Sequence, residues 1–333
     1  MNHAERFRAL MSFQAVDRLP RIEWASWWDQ TIARWHGEGL PARVTDRYDI
    51  VRYFGLDPYY QLRISPRGPG FPAQPHGEGP VASEEDYDAL LPALYPPQEG
   101  ALADLSRWGA LQERGEAVVW ISLDGFFWYP RTLFGIQRHL LAFYDQPDLM
   151  QRMNRDLTEY YLGLLGQVAR VCRPLFMTFA EDMSYNKGPM LSRALFDEFI
   201  APHYRRVVPA LREMGTRVIV DTDGDPSQMI DWLRGVAVDG VLPLERQAGV
   251  DAARLRADHP DLLMLGHYDK MVMHRGAAAI RAEFERLRPV VRTGGYLPGV
   301  DHQTPPGVSL AQYREYLEVQ REFSVSAAPG AAR

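Results

Sequence analysis

Two aspartates, Asp221 and Asp223, stand one residue apart directly after the β-branched run Val218, Ile219, Val220 and just before Gly224. Such a run reads as a buried strand, so the pair sits where the chain leaves a sheet. Glu181 and Asp182 stand in the same relation to residues 175–180, and Glu245 to residues 241–244. Carboxyl groups at strand ends among apolar neighbours gain proton affinity and suit general acid–base work. Glu181, Asp221 and Asp223 are the candidates for it, with Glu245 as a supporting or substrate-contacting group. Asp-x-Asp-Gly is equally a common turn whose acids accept backbone amides, and that alternative stays open. Aromatic residues collect at the same ends. Trp24 closes an expected strand at residues 21–24 with Trp27 and Trp28 directly after it, and Phe127 and Trp128 follow Asp124. Two aromatic clusters on one rim predict an apolar or planar substrate, although the same rings could pack the helices that follow.

The elements that must position these groups alternate. Strands are expected at 21–24, 118–123, 175–180, 218–220, 241–244, 262–265 and 294–300. Helical spacing separates them, most clearly over 157–171. Their ends carry Asp124, Glu181, Asp221, Glu245, His267 and Asp301. Parallel strands alternating with helices, with polar chemistry at the strand carboxyl ends, predict an α/β fold of the single (β/α)8 TIM-type barrel kind. A doubly wound open sheet is the rival, but it would gather its chemistry at one switch point instead of spreading it over six strand ends.

At 333 residues, 46% hydrophobic and 24% charged, the chain suits one such domain, expected over residues 1–323 with a disordered tail at 324–333. Residues 4–13 read as an amphipathic helix, an N-terminal extension to the barrel. Residues 57–95, dense in Pro and Gly, read as an irregular insertion near the mouth. The formal charge of −6 and the lack of Lys/Arg clusters exclude a general nucleic-acid binder. The only cysteine, Cys172, excludes a disulfide framework and a multi-thiolate metal site within one chain. Without a signal-peptide core or a run of about 18 apolar residues, a cytoplasmic protein away from membranes is expected.

Four segments together carry a family resemblance. They are Glu5, Arg6, Phe7 through Asp17, Arg18, Leu19, Pro20; Glu181, Asp182, Met183 with Lys187, Gly188, Pro189; Asp221 to Gly224; and Gly294, Gly295, Tyr296 through Asp301, His302, Gln303, Thr304, Pro305, Pro306. On these the chain resembles the uroporphyrinogen decarboxylase-like superfamily, which holds the decarboxylase and the methyltransferases that exchange methyl groups with corrinoid proteins. The resemblance implies a (β/α)8 barrel. The decarboxylase's N-terminal Arg-Gln-Ala-Gly-Arg segment is replaced here by Trp24, Ala25, Ser26, Trp27, Trp28, so a polyanionic porphyrinogen lacks its bidentate partners. The thiol-acting methyltransferases carry a zinc held by His-x-Cys and a later Cys. Their positions fall here on Asp221, Asp223 and His302, which implies a divalent metal, zinc or a harder ion, on two carboxylates and an imidazole.

Three functions compete on these readings. The first is a metal-assisted methyltransferase or demethylase that passes a methyl group from a small aromatic or quaternary substrate to a corrinoid on a partner protein. The second is a lyase decarboxylating an aromatic or heterocyclic acid by protonating ring carbon. The third is a barrel that only senses a metabolite. In either catalytic reading Trp24, Trp27, Trp28, Phe127, Trp128, Asp182, Tyr185, Glu245 and His267 are expected to meet the substrate. A homodimer is the expected assembly.

Overall fold

Residues 1–330 are described by the computed structural model of the chain. Among them seven parallel strands form one curled sheet: β1 (Tyr59–Ile64), β2 (Val118–Asp124), β3 (Phe176–Ala180), β4 (Arg217–Asp221), β5 (Gly240–Leu242), β6 (Leu263–Tyr268) and β7 (Tyr296–Val300). They pair in sequence order, β1 through β7, which is the TIM-type barrel arrangement. Every residue of β2 and β6 is buried, as both faces of a strand inside a barrel must be, and this explains their nearly continuous apolar sequences. Register holds the strand ends level. Asp124 lies opposite Ala180, Ala180 opposite Asp221, and Asp221 opposite Leu242. Beneath that rim the interior is partly polar. Trp120 Nε1 donates to Thr178 Oγ1 at 2.9 Å, and Thr178 Oγ1 donates to Ser122 Oγ at 3.0 Å.

The eighth barrel position differs from the expected first strand at 21–24. No ladder forms there; β7 and β1 are bridged by that segment through scattered contacts. Arg21 O accepts Asp57 N at 2.9 Å, Arg21 N donates to Asp57 Oδ2 at 3.0 Å, and Trp24 Nε1 donates to Val300 O at 2.6 Å. Pro20 has no N–H, and the Arg21 amide is spent on the Asp57 side chain, so a regular exchange of main-chain bonds cannot start. Asp57 also takes both Nη atoms of Arg18, at 2.7 and 2.8 Å, which fastens the N-terminal arm to the start of β1. Burial works against a charge on Asp57, but neighbouring His3 and the bonds from Arg18 and the Arg21 amide outweigh it and hold the carboxyl well below the usual range.

β1 itself lies inside the stretch expected to be irregular, which also contains the helix Glu84–Leu90 capped by Ser83. The irregular part is confined to residues 65–82. The N-terminal helix His3–Leu10 has a capping box between Asn2 and Glu5 and covers the foot of the barrel, where Phe7 stacks on Phe176 at 5.0 Å. The long helix Pro147–Val171 buries Met150, Met153, Leu157, Tyr161, Leu164 and Val168, a stripe at three- and four-residue spacing. The expectation of a disordered tail from 324 fails for the described residues. The helix Leu310–Ser326 continues past Phe323, Ala327 and Ala328 are buried, and Pro329 O accepts Val16 N at 3.1 Å. Residues 331–333 lie outside the described residues. No helix among the described residues is long and apolar enough to cross a membrane.

Candidate active site

At the carboxyl ends of the strands the barrel opens into a cavity of about 410 Å³. Asp221 is the last residue of β4 and Asp223 lies in the turn after it. That turn is braced from three sides. Thr222 is fully buried, and its Oγ1 accepts the Met183 and Ser184 amides at 3.0 and 3.2 Å. Ser184 Oγ donates to Asp223 O at 2.6 Å. Glu245 Oε2 accepts the Gly224 amide at 2.9 Å. Gly224 has φ +81°, and a Cβ there would fall 2.3 Å from the Tyr185 carbonyl carbon, so only glycine permits the turn.

Asp182, Asp221, Asp223 and His302 line one wall of the cavity. His302 Nε2 lies 3.0 Å from Asp223 Oδ1. Burial opposes a charge on His302, but the bond and attraction to Asp223 outweigh it and raise the imidazole above its ordinary value. Asp221 carries no side-chain hydrogen bond to any of the described residues. Burial pushes its carboxyl well above the usual range; Asp182 and Asp223 push it further, against the weaker pull of His302 and Arg63. Asp182, in the left-handed region at φ +43°, is raised by burial and by Asp223. The mouth therefore holds a carboxyl of raised proton affinity beside a hydrogen-bonded histidine–aspartate pair.

The opposite wall is aromatic and basic. Trp24, Trp120 and Trp128 present rings, while Arg47 and Arg63 present guanidiniums. Arg47 is held by the Gln61 side chain, and Arg63 by the fully buried Asp124 at 3.0 Å. These last residues escape a reading of the sequence that looks for acids. Gln61, Arg63 and Trp120 sit on β1 and β2. Tyr59, Tyr60, Leu62 and Ile64 are the strand-forming signal that could have located the first two.

Several expected site residues lie elsewhere. Glu181 is fully buried behind the rim, where its carboxylate accepts the amides of Phe126, Phe127 and Trp128 at 2.9, 2.8 and 3.1 Å and the Tyr204 hydroxyl at 2.6 Å. Burial raises it to about 7, while those four donors favour its charged form. It clamps the chain after β2 and does not reach the cavity. Trp27 is buried edge-on to Tyr313, and Phe127 packs on His139. Trp28 and Tyr185 are exposed beyond the cavity wall. His267 is buried with Nδ1 2.7 Å from Leu244 O and Nε2 3.1 Å from Arg286 Nη1, a structural tie between strand and helix. Glu245 supports the Gly224 turn and does not line the cavity.

The expected metal ligands Asp221, Asp223 and His302 share the wall, but among the described residues no three His, Cys, Asp or Glu side chains converge as a metal's ligands do. Asp223 and His302 are spent on each other, and Asp221 stands apart from their bond. As arranged, this donor set does not fit the expected ion.

A barrel whose polar groups gather at the carboxyl rim, around a cavity with a perturbed acid, is the architecture of an enzyme. The sequence profile described as uroporphyrinogen decarboxylase (URO-D) matches residues 135–323, more than half of the chain, and the chain belongs to that family. Among solved structures it is similar to a methyltransferase from Methanosarcina mazei, at 12% identity and a TM-score of 0.66, over 97% of this chain and 99% of that one. It is also similar to a D-psicose 3-epimerase from Clostridium cellulolyticum H10, at 10% identity and a TM-score of 0.41, over 83% and 88% of the two chains. No curated protein matches it in sequence.

Proposed function

We propose that this enzyme is a demethylating methyltransferase acting on a small aromatic methyl ether or methylamine, with a separate corrinoid protein as methyl acceptor. The observation that carries the reading is Asp221, an acid without a side-chain hydrogen bond among the described residues that faces a tryptophan-lined cavity and whose proton affinity burial and two neighbouring acids raise well above the usual range. A methyl group leaves an aromatic ether only if the oxygen's negative charge is quenched. The C–O bond breaks with its electron pair on oxygen, the methyl passes to the reduced corrinoid, and the Asp221 proton goes to that oxygen. Asp221 thus takes the part first expected of a metal ion.

Trp24, Trp120 and Trp128 would hold the ring. Arg47 and Arg63 favour a ring that bears a carboxylate over a quaternary cation. The likeness over nearly the full length to the Methanosarcina methyltransferase and membership of the URO-D family support the reading.

The test is incubation with methoxybenzoates and cob(I)alamin, following methylcobalamin by its absorbance and the phenol by chromatography. Formation of both, lost in Asp221→Asn, is the expected result. A second reading rests on the same acid: Asp221 could protonate ring carbon as a hydroxybenzoate loses carbon dioxide. Carbon dioxide release without methyl transfer would put that lyase in place of the demethylase.

A further inference from the structure

Beside the mouth lies a second cavity of about 440 Å³, and Trp128 lines both. Its roof is the Pro/Gly-rich stretch from Arg67 to Glu78, and its floor is the helix Trp128–Phe134 with the turn that follows. The roof is fastened down. Gly77 O accepts Ile136 N at 2.9 Å, Leu133 O accepts Val81 N at 3.0 Å, and Arg138 Nη1 donates to Val81 O at 3.1 Å. A Cβ at Gly79 would fall 2.2 Å from Leu133 O, so the close approach of roof to floor depends on glycine. The cavity is preformed, and building it uses residues that the mouth does not need.

We propose that this cavity is an oxyanion-binding site clamped by Arg67 and Arg131. Its polar lining offers donors that lack acceptors. Arg67 Nε and Trp128 Nε1 are both buried without a hydrogen-bond partner. Arg131 makes one long bond, Nη1 to Asp182 O at 3.3 Å, and lies 5.1 Å over the Trp128 ring. No carboxylate among the described residues pairs with it. Arg67 lies 5.6 Å over Phe71, and its Nη2 reaches Asp124 at 3.2 Å, a carboxylate that Arg63 already holds at 3.0 Å.

One acid therefore balances two guanidiniums and a third has none, leaving a positive surplus around a concave space. The acid in the lining is Glu78, which is exposed and forms no ion pair with either arginine among the described residues. Buried donors without acceptors are costly unless a ligand supplies them, and an oxyanion supplies several acceptors at once. The aromatic faces under both guanidiniums fix their planes in advance. Shared Trp128 places the bound oxyanion next to whatever occupies the mouth. The assignment concerns binding, and it stands whichever reaction the mouth performs.

The test uses protein labelled with ¹⁵N at tryptophan, with the Trp128 indole signal assigned by its loss in Trp128→Phe. Benzoate and inorganic phosphate are titrated separately. A saturable shift of that signal with either is expected, weakened at least tenfold in Arg67→Gln and Arg131→Gln and, for phosphate, unchanged in Arg47→Gln, since the mouth could itself take up benzoate through Arg47. Benzoate alone would mark the ligand as a carboxylate, and phosphate alone as a phosphate. Arg131→Gln breaks no ion pair, so an unchanged melting curve separates its effect from misfolding. A Trp128 signal that neither probe moves, one that moves as readily in Arg67→Gln and Arg131→Gln as in the wild type, or a phosphate response abolished by Arg47→Gln instead would overturn the proposal.

Discussion

Glu181 and Asp221 are acids at the ends of neighbouring strands, and burial raises the proton affinity of both, yet they do opposite work. Glu181 is surrounded by donors: three consecutive amides and a tyrosine hydroxyl converge on one carboxylate. Asp221 has none among the described residues, and its nearest charged neighbours include two other acids. The first arrangement spends the carboxylate on holding the chain after β2 in place. The second leaves a carboxyl of raised proton affinity unpartnered and facing the mouth. Burial alone thus does not mark a catalytic acid; burial without partners, facing a cavity, does.

The largest effect expected from this contrast is on turnover. Asp221→Asn should lower the rate of demethylation by about 10²- to 10⁴-fold, the range of a general acid, while the melting temperature stays level or rises because a carboxyl without a hydrogen-bond partner is gone. Glu181→Ala should do the reverse in kind. It strands three buried amides and should cost on the order of 3 kcal/mol in urea unfolding. A Glu181→Ala variant as stable as the wild type would break the comparison.

A third buried acid sharpens it. Glu23, in the seam between β7 and β1, accepts Tyr316 Oη at 2.7 Å and is raised to about 7 by burial. A carboxyl raised on folding contributes stability that is fully present below pH about 4.5 and is lost as pH rises through about 7. Glu23→Gln should flatten that part of the stability curve, by up to roughly 3 kcal/mol, as melts across this pH window would show. The smallest effect should come from His302→Gln. The attraction of His302 opposes the rise at Asp221, so its loss should move the basic limb of the rate profile upward. A downward shift would count against the assigned pairing.

The barrel was legible because buried parallel strands are continuous apolar runs, and β2 through β7 all announce themselves that way. β1 did not, since the Pro/Gly-rich stretch that follows it dilutes the signal of Tyr59–Ile64. The segment at 21–24 has strand-like composition, but its backbone is tied by Asp57 and cannot build a ladder. In the site, Asp221, Asp223, Asp182, His302, Trp24 and Trp128 do converge on the mouth. Glu181 lies outside the cavity because neighbouring residues at a strand end face opposite ways, and distance from the strand does not say which way. Arg47 was not legible at all. It reaches the mouth from the helix Arg47–Phe54, and only tertiary packing brings it there.

The central claim, that the proton affinity of Asp221 is raised well above that of an ordinary aspartate while Asp223 is paired with His302, can be tested without knowing the substrate. Carboxyl ¹³C signals of aspartate-labelled protein would be followed from about pH 3 to about pH 9 in wild type and Asp221→Asn. The account predicts one resonance, absent from the variant, that titrates well above the ordinary aspartate value of about 3.9. If the resonance lost in the variant titrates at or below that value, Asp221 is ionised at neutral pH and cannot be the proton donor.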